Sequence, residues 1–381
     1  MIKKWSIFMV NEKKEVSFWA KIRNKCPTFS LVFFGLCLLA IPIHIICVLS
    51  TGFADFYNTT VGAFVRAVLA YLTKYLPFSL AETIIICLPL ILVILIVISV
   101  KSFKKSDLAA TRCVVGMFSV LTFMYSVFVL GYGMGYHGSS LANKLGLEEV
   151  PVTAGELKYT AEQVYEEMEP LLKNISYTQN GESVMPYSLD VMNDKLNEAY
   201  KKACKKYDFI QDLDSNLKYV VFSEPMTYTH ISGVYSYYTG EANLNINFPD
   251  YTLPFTAAHE LAHQRGIAPE NEANFVAFLV CMESDDNYIR YSAYLNMYEY
   301  LTNALYSADS SMYKELWSKT DDRARGEMIA FSRFFDKYRD STASKVTNVV
   351  NDTYLKTQGQ SAGTKSYGMV VDLAVAYYKQ K

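Results

Sequence analysis

The sequence predicts an α+β protein, mainly helical, in which three N-terminal transmembrane helices precede a domain with a small sheet. Three observations favour this fold class. Three uncharged segments within the first 136 residues are long enough to cross a bilayer. Short runs rich in aromatic and β-branched residues follow them, and most of the remaining chain has the apolar spacing of amphipathic helices.

The charges divide the chain into a basic, apolar part and an acidic part. The first 136 residues hold 13 of the 36 Lys and Arg residues and 5 of the 38 Asp and Glu residues. The remainder holds 23 basic and 33 acidic residues, a net charge of about −10. Because nucleic acids bind to clustered positive charge, we expect no nucleic-acid partner. Acidic substrates are disfavoured for the same reason.

The predicted spans cover about residues 29–50, 83–100 and 113–136. Seven Lys and Arg residues precede the first span, two separate the first from the second, and four separate the second from the third. Since cytoplasmic loops are enriched in these residues, the N-terminus is predicted to be cytoplasmic. The first apolar run is long for a cleavable signal peptide, so we expect an uncleaved anchor. The predicted domains are a basic cytoplasmic N-terminus (1–28), a three-helix transmembrane anchor (29–136) and an extracytoplasmic domain (137–381).

The extracytoplasmic part begins with helical periodicity from about residue 160 to 207. Short strands are predicted at 217–222, 233–238 and 242–246, and the chain is mainly helical after Pro254. The segment 240–247 is predicted to be either an edge strand that binds an extended peptide or a buried strand. Breaks between the later helices are predicted near Asn287, at Ser307–Ser311, at Gly326 and at Gly359–Gly363.

The informative motif is HELAH, within the run PFTAAHELAHQRGIAPENEANFVAFLVC. On a helix, His259 and His263 share one face, where two imidazole nitrogens reach a single ion at about 2.0–2.1 Å. Glu260 lies beside them, and in this motif its carboxylate takes a proton from a metal-bound water. The motif therefore predicts one Zn²⁺ per chain, with Glu260 as the general base.

Two carboxylates are candidates for the third metal ligand, Glu270 and Glu272. Glu270 lies seven residues after His263, across a turn at Gly266, and shares a helix face with Asn274. Asn274 would then orient a ligand by a hydrogen bond. We favour Glu270; in that case Glu272 is either a carboxylate stabilised by the start of its helix or the partner of Arg265 in an ion pair. Three protein ligands leave a fourth position open for water, as catalytic zinc sites do.

Peptide hydrolysis also needs a hydrogen-bond donor for the oxyanion of the tetrahedral intermediate. The sequence does not rank the candidates, because the chain has 30 tyrosines and most of these pack in cores or on surfaces. The candidates for oxyanion or substrate contacts are Tyr228, His230, Tyr238, Tyr291 and Tyr294.

Two resemblances accompany these residues. The first rests on FSEPMTYTHISGVYSYYTGEANLNINFP, the HELAH run, YSAYL and the later NDTYLKTQGQSAGTKSYGMVVDLAVAYY, together with the three spans. These segments resemble a family of bacterial membrane proteins called domain of unknown function 3810. The family is uncharacterised, so the resemblance implies a multi-pass protein of the bacterial cell membrane and no particular activity.

The second resemblance is to gluzincin-type membrane proteases, which carry HExxH followed by ExxAD or ExxAN. Here HELAH is followed by Glu270, Ala273 and Asn274. In the gluzincin pattern the first Glu binds zinc, so the resemblance implies Glu270 as a ligand and a zincin-like (gluzincin-like) domain. The chain departs from that pattern in the short spacing between its two halves and in Asn274, where Asp is commoner.

Motif and resemblance together predict a membrane-anchored zinc metalloendopeptidase that hydrolyses peptide bonds outside the cytoplasm by metal-activated water. Its expected partners are a peptide or protein substrate of the cell envelope and the lipid bilayer. The alternative, from another class of protein, is a catalytically inactive zinc-binding membrane receptor or envelope assembly factor with a zincin fold.

Overall fold

The computed structural model describes residues 18–148 and 150–381. Most of the predicted segment 1–28 therefore lies outside the described residues. As far as Gly131 the described chain is helical apart from short connections. Its elements are α1 (Phe18–Lys25), α2 (Thr28–Leu49), α3 (Thr51–Tyr57), a π-helical turn (Asn58–Gly62), α4 (Ala63–Lys74), α5 (Leu80–Lys105) and α6 (Asp107–Gly131).

Three of these helices, α2, α5 and α6, are long and apolar enough to cross a membrane. The predicted number of apolar N-terminal helices is therefore confirmed. Their ends differ from the predicted spans because capping, and not hydrocarbon thickness, ends a helix. At the start of α5, the hydroxyl of Ser79 accepts a hydrogen bond from the N–H of Glu82. The third span was predicted to reach residue 136, but α6 ends at Gly131 and a 3-10 turn follows.

The rest of the chain is also mainly helical, as predicted. Its elements are a 3-10 turn (Gly133–His137), α7 (Leu141–Leu145), α8 (Ala154–Met168), a 3-10 segment (Glu169–Asn174), β1 (Ser176–Tyr177), β2 (Ser183–Val184), α9 (Leu189–Lys206), β3 (Lys218–Tyr219), α10 (Ser223–Thr227), β4 (Gly233–Ser236), β5 (Glu241–Leu244), α11 (Thr252–Gln264), α12 (Glu270–Met282), α13 (Asn287–Ala308), α14 (Ser310–Lys319), α15 (Asp322–Asp336), α16 (Thr342–Thr357), a 3-10 segment (Gly363–Met369) and α17 (Val370–Gln380).

The predicted helix break at Gly326 is wrong, because this residue lies inside α15. One glycine in a helix costs only about 1 kcal/mol relative to alanine. The Asp321 side chain caps the helix by accepting a hydrogen bond from the N–H of Arg323, and Ala324 and Ala330 pack in the interior. Capping and burial together outweigh the glycine.

The main sheet has three short strands in the order β3-β5-β4. β3 is parallel to β5, with Lys218 opposite Asn243, and β4 is antiparallel to β5, with Val234 opposite Asn243. β5 is wholly buried and lies in the centre. The expectation that 240–247 forms an edge strand is therefore wrong, and the buried-strand alternative is confirmed. Within the described residues, β4 pairs with a strand on one side only.

The chain forms two compact units. The first extends to Ala40 and includes Leu88–Ser126, and a buried hydrogen bond joins the hydroxyls of Ser119 and Ser30 within it. The second comprises Ile41–Cys87 and Val127–Lys381. Its core is built from the buried faces of α8, α9, α11, α12, α13 and α17. The segment between the first two spans thus belongs to the unit that carries HELAH.

Candidate metal centre

Helix α11 carries the HELAH motif through the interior of the second unit. Its residues from Ala257 to Gln264 are all buried. The small or apolar residues among them allow the helix to pack closely in the interior. His259 and His263 lie one helical turn apart, with their ring centroids 4.5 Å from each other. The two imidazoles therefore share one face of the helix, as the spacing predicts.

A tight turn at Gly266 ends this helix and reverses the chain. Gly266 has a φ of 93°, a conformation that favours glycine. Its N–H donates to the carbonyl of His263 at 2.9 Å, and the N–H of Ile267 donates to the carbonyl of Ala262 at 3.2 Å. These two bonds form a Schellman motif. The reversal brings Glu270, the first residue of α12, back to the two histidines.

The carboxylate of Glu270 joins the two imidazoles. Its Oε2 atom lies 3.2 Å from Nε2 of His259 and 3.2 Å from Nε2 of His263. All three side chains are buried, and their ligand atoms lie within 4.8 Å of one another. Tetrahedral zinc with bonds of about 2.0–2.2 Å places its ligand atoms about 3.3–3.6 Å apart. The observed separations are close to this spacing, so the three residues fit a divalent metal.

Glu272, the alternative third ligand, is engaged elsewhere. Its Oε1 atom accepts a hydrogen bond of 2.9 Å from the N–H of Leu141, at the start of α7. Of the two candidate carboxylates, Glu270 is the one that lies among the ligand atoms of His259 and His263.

The far side of the His263 ring is also fixed. Its Nδ1 atom lies 2.7 Å from the carbonyl of Ile267, to which it donates when protonated. This tautomer leaves the lone pair of Nε2 free to bind a metal. The hydroxyl of Tyr132 lies 3.0 Å from the same Nδ1 atom. The sequence analysis did not identify Tyr132, whose only signal is its place in the GYGMGY run after α6.

Asn274 is buried on α12, one helical turn after Glu270. Burial lowers the pKa of His259, and the neighbouring His263 lowers it further. The neighbouring Glu270 carboxylate, whose Oε2 atom lies 3.2 Å from Nε2 of His259, opposes this effect. The net lowering keeps His259 neutral near pH 7, the form that binds metal.

The charges of His263 and Glu270 stabilise each other. Burial alone would raise the pKa of Glu270, but His263 and the hydrogen bonds from both imidazoles hold it well below its usual range. Burial alone would lower the pKa of His263, but the Glu270 carboxylate raises it to about 9. A carboxylate that stays ionised while buried can serve as an anionic ligand for a cation.

Glu260 is buried next to the cluster, against the sheet. Burial raises the pKa of its carboxyl group to about 8, and the positive charge of His263 partly offsets the rise. Its Oε2 atom has no hydrogen-bond partner among the residues that the structure describes. A Cβ atom added at Gly233 in β4 would lie 2.6 Å from both Cγ and Oε1 of Glu260. The missing side chain of Gly233 thus makes room for the predicted general base.

Arg66, on α4, supports the turn that follows HELAH. Its fully buried guanidinium donates to the side-chain and backbone oxygens of Asn58, both at 2.8 Å, and to the carbonyls of Gly131 and Arg265 at 3.1 and 3.5 Å. Burial lowers the pKa of Arg66 to about 10, so it stays charged at neutral pH. An added Cβ at Gly266 would lie 2.3 Å from this guanidinium. From the sequence, Arg66 was used only as one of the basic residues that predict the orientation of the chain in the membrane.

Comparison with known protein families shows the family of this chain. The family described as "Protein of unknown function (DUF3810)" matches residues 57–375, which is most of the chain. The chain belongs to this family. No curated protein and no solved structure matches it significantly. The region shared with DUF3810 contains α4, the Gly266 turn and the whole cluster of His259, His263 and Glu270.

The predicted oxyanion or substrate residues of this DUF3810 protein lie on several different elements of the chain. The Nε2 atom of His230 lies 2.8 Å from the carbonyl of Tyr338, after α15. The hydroxyl of Tyr291 is buried and donates to Glu327 at 2.9 Å. These two hydrogen bonds join His230 and Tyr291 to α15 and the segment after it, and not to the three candidate ligands. The ring of Tyr238 is partly exposed and contacts Tyr237. The other two candidates also pack on rings, Tyr228 on Tyr338 and Tyr294 on Phe278.

The charge of Glu270 also acts on another tyrosine of this DUF3810 protein. Burial raises the pKa of Tyr354, on α16, and the charge of Glu270 contributes to the rise. The hydroxyl of Tyr354 also accepts a hydrogen bond of 3.4 Å from Tyr136. Sequence reasoning missed this residue because α16 lies 72 positions after Glu270 at its nearest end and carries no motif.

Proposed function

We propose that this DUF3810 protein is a membrane-anchored zinc-dependent metallopeptidase that hydrolyses peptide bonds outside the cytoplasm. The observation that carries the proposal is the buried cluster of His259, His263 and Glu270, with Glu260 carried on the same helix. Surface histidines on an ordinary amphipathic helix would not converge with a carboxylate in the interior.

His259, His263 and Glu270 would hold the metal ion. Zinc in such a site supplies a Lewis acid that activates water and polarises a peptide carbonyl. The carbonyl of Ile267 holds the ring of His263, and the carboxylate of Glu270 lies 3.2 Å from Nε2 of both imidazoles. Holding the ligands in this way reduces the reorganisation needed when a cation binds.

Glu260 is the general base of the proposed reaction. It accepts a proton from the attacking water while the water oxygen bonds to the peptide carbonyl carbon. It then donates this proton to the leaving nitrogen as the carbon–nitrogen bond breaks. Burial raises the pKa of this carboxyl group, which favours its acceptance of a proton from water.

The position of β4 supports a peptide as the substrate. This strand has one edge free of strand partners among the described residues, and its first residue, Gly233, lies against Glu260. An extended peptide binds to such an edge through main-chain hydrogen bonds, largely independently of its sequence. The same geometry would place a backbone carbonyl near the general base.

The location follows from the charges near the spans. Seven Lys and Arg residues precede the first span and only two lie between the first and second. This bias favours a cytoplasmic N-terminus, which puts residues after the third span outside the cytoplasm. The proposed substrates are therefore peptides or proteins of the cell envelope.

Metal analysis of the full-length protein in detergent tests the site. The full chain is required because residues 41–87 belong to the same compact unit as the cluster. We expect one zinc per wild-type chain and none in a variant with His259→Ala and His263→Ala. Glu270→Gln should lose zinc, whereas its matched control Glu272→Gln should retain it. Wild-type protein that is folded but binds no zinc would contradict the proposal.

Cleavage of a peptide library tests the activity. We expect hydrolysis by the wild type that disappears on chelation and returns with zinc. Glu260→Gln should keep the metal and lose the hydrolysis, since the amide cannot accept the proton. Undiminished hydrolysis by Glu260→Gln would refute its role. A protein that binds zinc and cleaves no peptide would favour the inactive receptor or assembly factor.

A further inference from the structure

The helix α4, between the first two spans, has an unusual distribution of side chains. One face is buried in the protein and includes Ala63, Arg66, Ala70 and Thr73. The opposite face is exposed and entirely apolar or aromatic. Its residues, with their exposed fractions, are Phe64 (69%), Val68 (39%), Tyr71 (50%), Leu72 (72%) and, just after the helix, Tyr75 (84%).

No charge lies on this exposed face. The segment 51–79 contains three charged residues, Asp55, Arg66 and Lys74. Asp55 accepts hydrogen bonds from Ser139 and pairs with Lys144 at 3.3 Å. Arg66 is buried, and Lys74 pairs with Asp214 at 2.8 Å. A helix that faced water would show the reverse pattern, with polar residues outside and apolar residues inside.

The positions of the two ends of the segment 51–79 indicate what covers the exposed face of α4. α3 begins at Thr51, two residues after the first span ends at Leu49, and the second span begins at Leu80, six residues after the end of α4. Both ends therefore return to the same surface of the membrane. Phe56 in α3 and Val61 in the following turn are large apolar residues that are also exposed, and they extend the apolar face.

We infer that α4 lies along the membrane surface, with Phe64, Val68, Tyr71 and Leu72 inserted among the lipids of the leaflet that holds the end of α2 and the start of α5. Amphipathic helices bind membranes in this orientation, with the apolar face at the boundary between headgroups and acyl chains. Tyr71 and Tyr75 are typical of that boundary, where aromatic residues with a polar end are enriched.

The buried face of α4 connects this position to the metal centre. The hydroxyl of Thr73 donates to the carbonyl of Thr239, in the turn between β4 and β5. The guanidinium of Arg66 donates to the carbonyl of Arg265, just before Gly266. A helix with side chains is about 10–12 Å thick, so the ligand turn lies roughly that far from lipid. This short distance from lipid favours substrates that are themselves held at the membrane surface, a conclusion that rests on the proposed function.

Tryptophan fluorescence of the full-length protein in vesicles tests the inference without any need for activity. The parent carries Phe in place of Trp5, Trp19 and Trp317, and Leu72→Trp is added to it. Phosphatidylcholine brominated in its acyl chains quenches tryptophans in contact with lipid. We expect a blue-shifted emission and loss of fluorescence in brominated vesicles. The matched control is Tyr306→Trp, on α13, where the native side chain is 58% exposed.

The control should emit as a water-exposed tryptophan and keep its fluorescence in brominated vesicles. Phe64→Trp, at the other end of α4, should be quenched like Leu72→Trp and keeps the test valid if either variant fails to fold. Water-exposed emission from both α4 variants would overturn the inference. Blue-shifted emission without quenching would also overturn it, because a second copy of the chain or another protein would then cover the face.

Discussion

Because β4 lies close to Glu260, adding one atom at Gly233, the Cβ of an alanine, should disturb the Glu260 side chain. Gly233→Ala adds a Cβ that would lie 2.6 Å from Cγ and Oε1 of Glu260 and 2.9 Å from Cδ. Ordinary contacts of a Cβ atom lie at 3.4–4 Å. Glu260 or the strand must therefore shift by about 1 Å. Neither can move freely, since β4 is paired with β5 and Glu260 lies on a buried helix.

Overpacking of a close-packed interior costs about 1–3 kcal/mol. For a compact unit of this size that corresponds to a fall in the thermal midpoint of about 2–6 °C, at roughly 2 °C per kcal/mol. A displacement of about 1 Å in a catalytic group reduces turnover by about 100-fold. Zinc content should not change, because the three atoms nearest to the added Cβ all belong to Glu260, which is not one of the proposed ligands.

Thermal unfolding of the full-length protein in detergent, as a double-mutant cycle, isolates the contact. In a Glu260→Ala background the clashing atoms are gone, so Gly233→Ala should cost nothing measurable there. The coupling between the two sites should equal about 1–3 kcal/mol. Gly155→Ala is the control, since a Cβ at Gly155 meets nothing within 4 Å. An equal loss of stability from Gly233→Ala in both backgrounds would refute the reasoning.

Three further changes test other parts of the site. Tyr132→Phe removes the hydroxyl beside His263 and should weaken zinc affinity by about 10-fold or more in competition with a chelator; unchanged affinity would show that the hydroxyl does not support the ligand. Arg66→Met leaves several buried carbonyls without a donor and should lower stability by about 3 kcal/mol, measured by thermal unfolding, with a loss of under 1 kcal/mol arguing against its role. Burial raises the pKa of Glu299 from 4.5 to about 8, so the folded state binds more protons and loses stability as pH rises through that window. Glu299→Gln should therefore match the wild type in thermal midpoint near pH 4.5 and exceed it above pH 8, and a constant difference across that window would contradict the assignment.

The parts of the protein that depend on local spacing follow from the sequence. His259 and His263 share a face because they are four residues apart on a helix, and three apolar runs specify three long helices. The Gly266 turn is also local, since glycine in the left-handed region ends helices in many proteins. These features need no knowledge of distant residues.

The remaining features depend on contacts between distant residues. Arg66 precedes Arg265 by 199 positions and Tyr132 precedes His263 by 131, and neither has a motif that predicts its partner. The order of the strands is another case. β5 alternates polar and apolar residues like an edge strand, yet it lies in the centre because β3 pairs with it in parallel. Such pairing is set by tertiary packing and not by the pattern of one strand.

Two buried charges of the sheet join it to the end of α4 and to the start of α5. The carboxylate of Glu241, in β5, accepts hydrogen bonds of 2.9 and 2.8 Å from the first two N–H groups of α5. The ammonium group of Lys218, in β3, donates to three carbonyls at or just after the end of α4. A buried charge is costly unless it is compensated, and each of these two meets a helix end of opposite partial charge. The sheet that places Gly233 against Glu260 is therefore held by α4 and α5, so the segment between the first two spans is a structural part of the proposed active site.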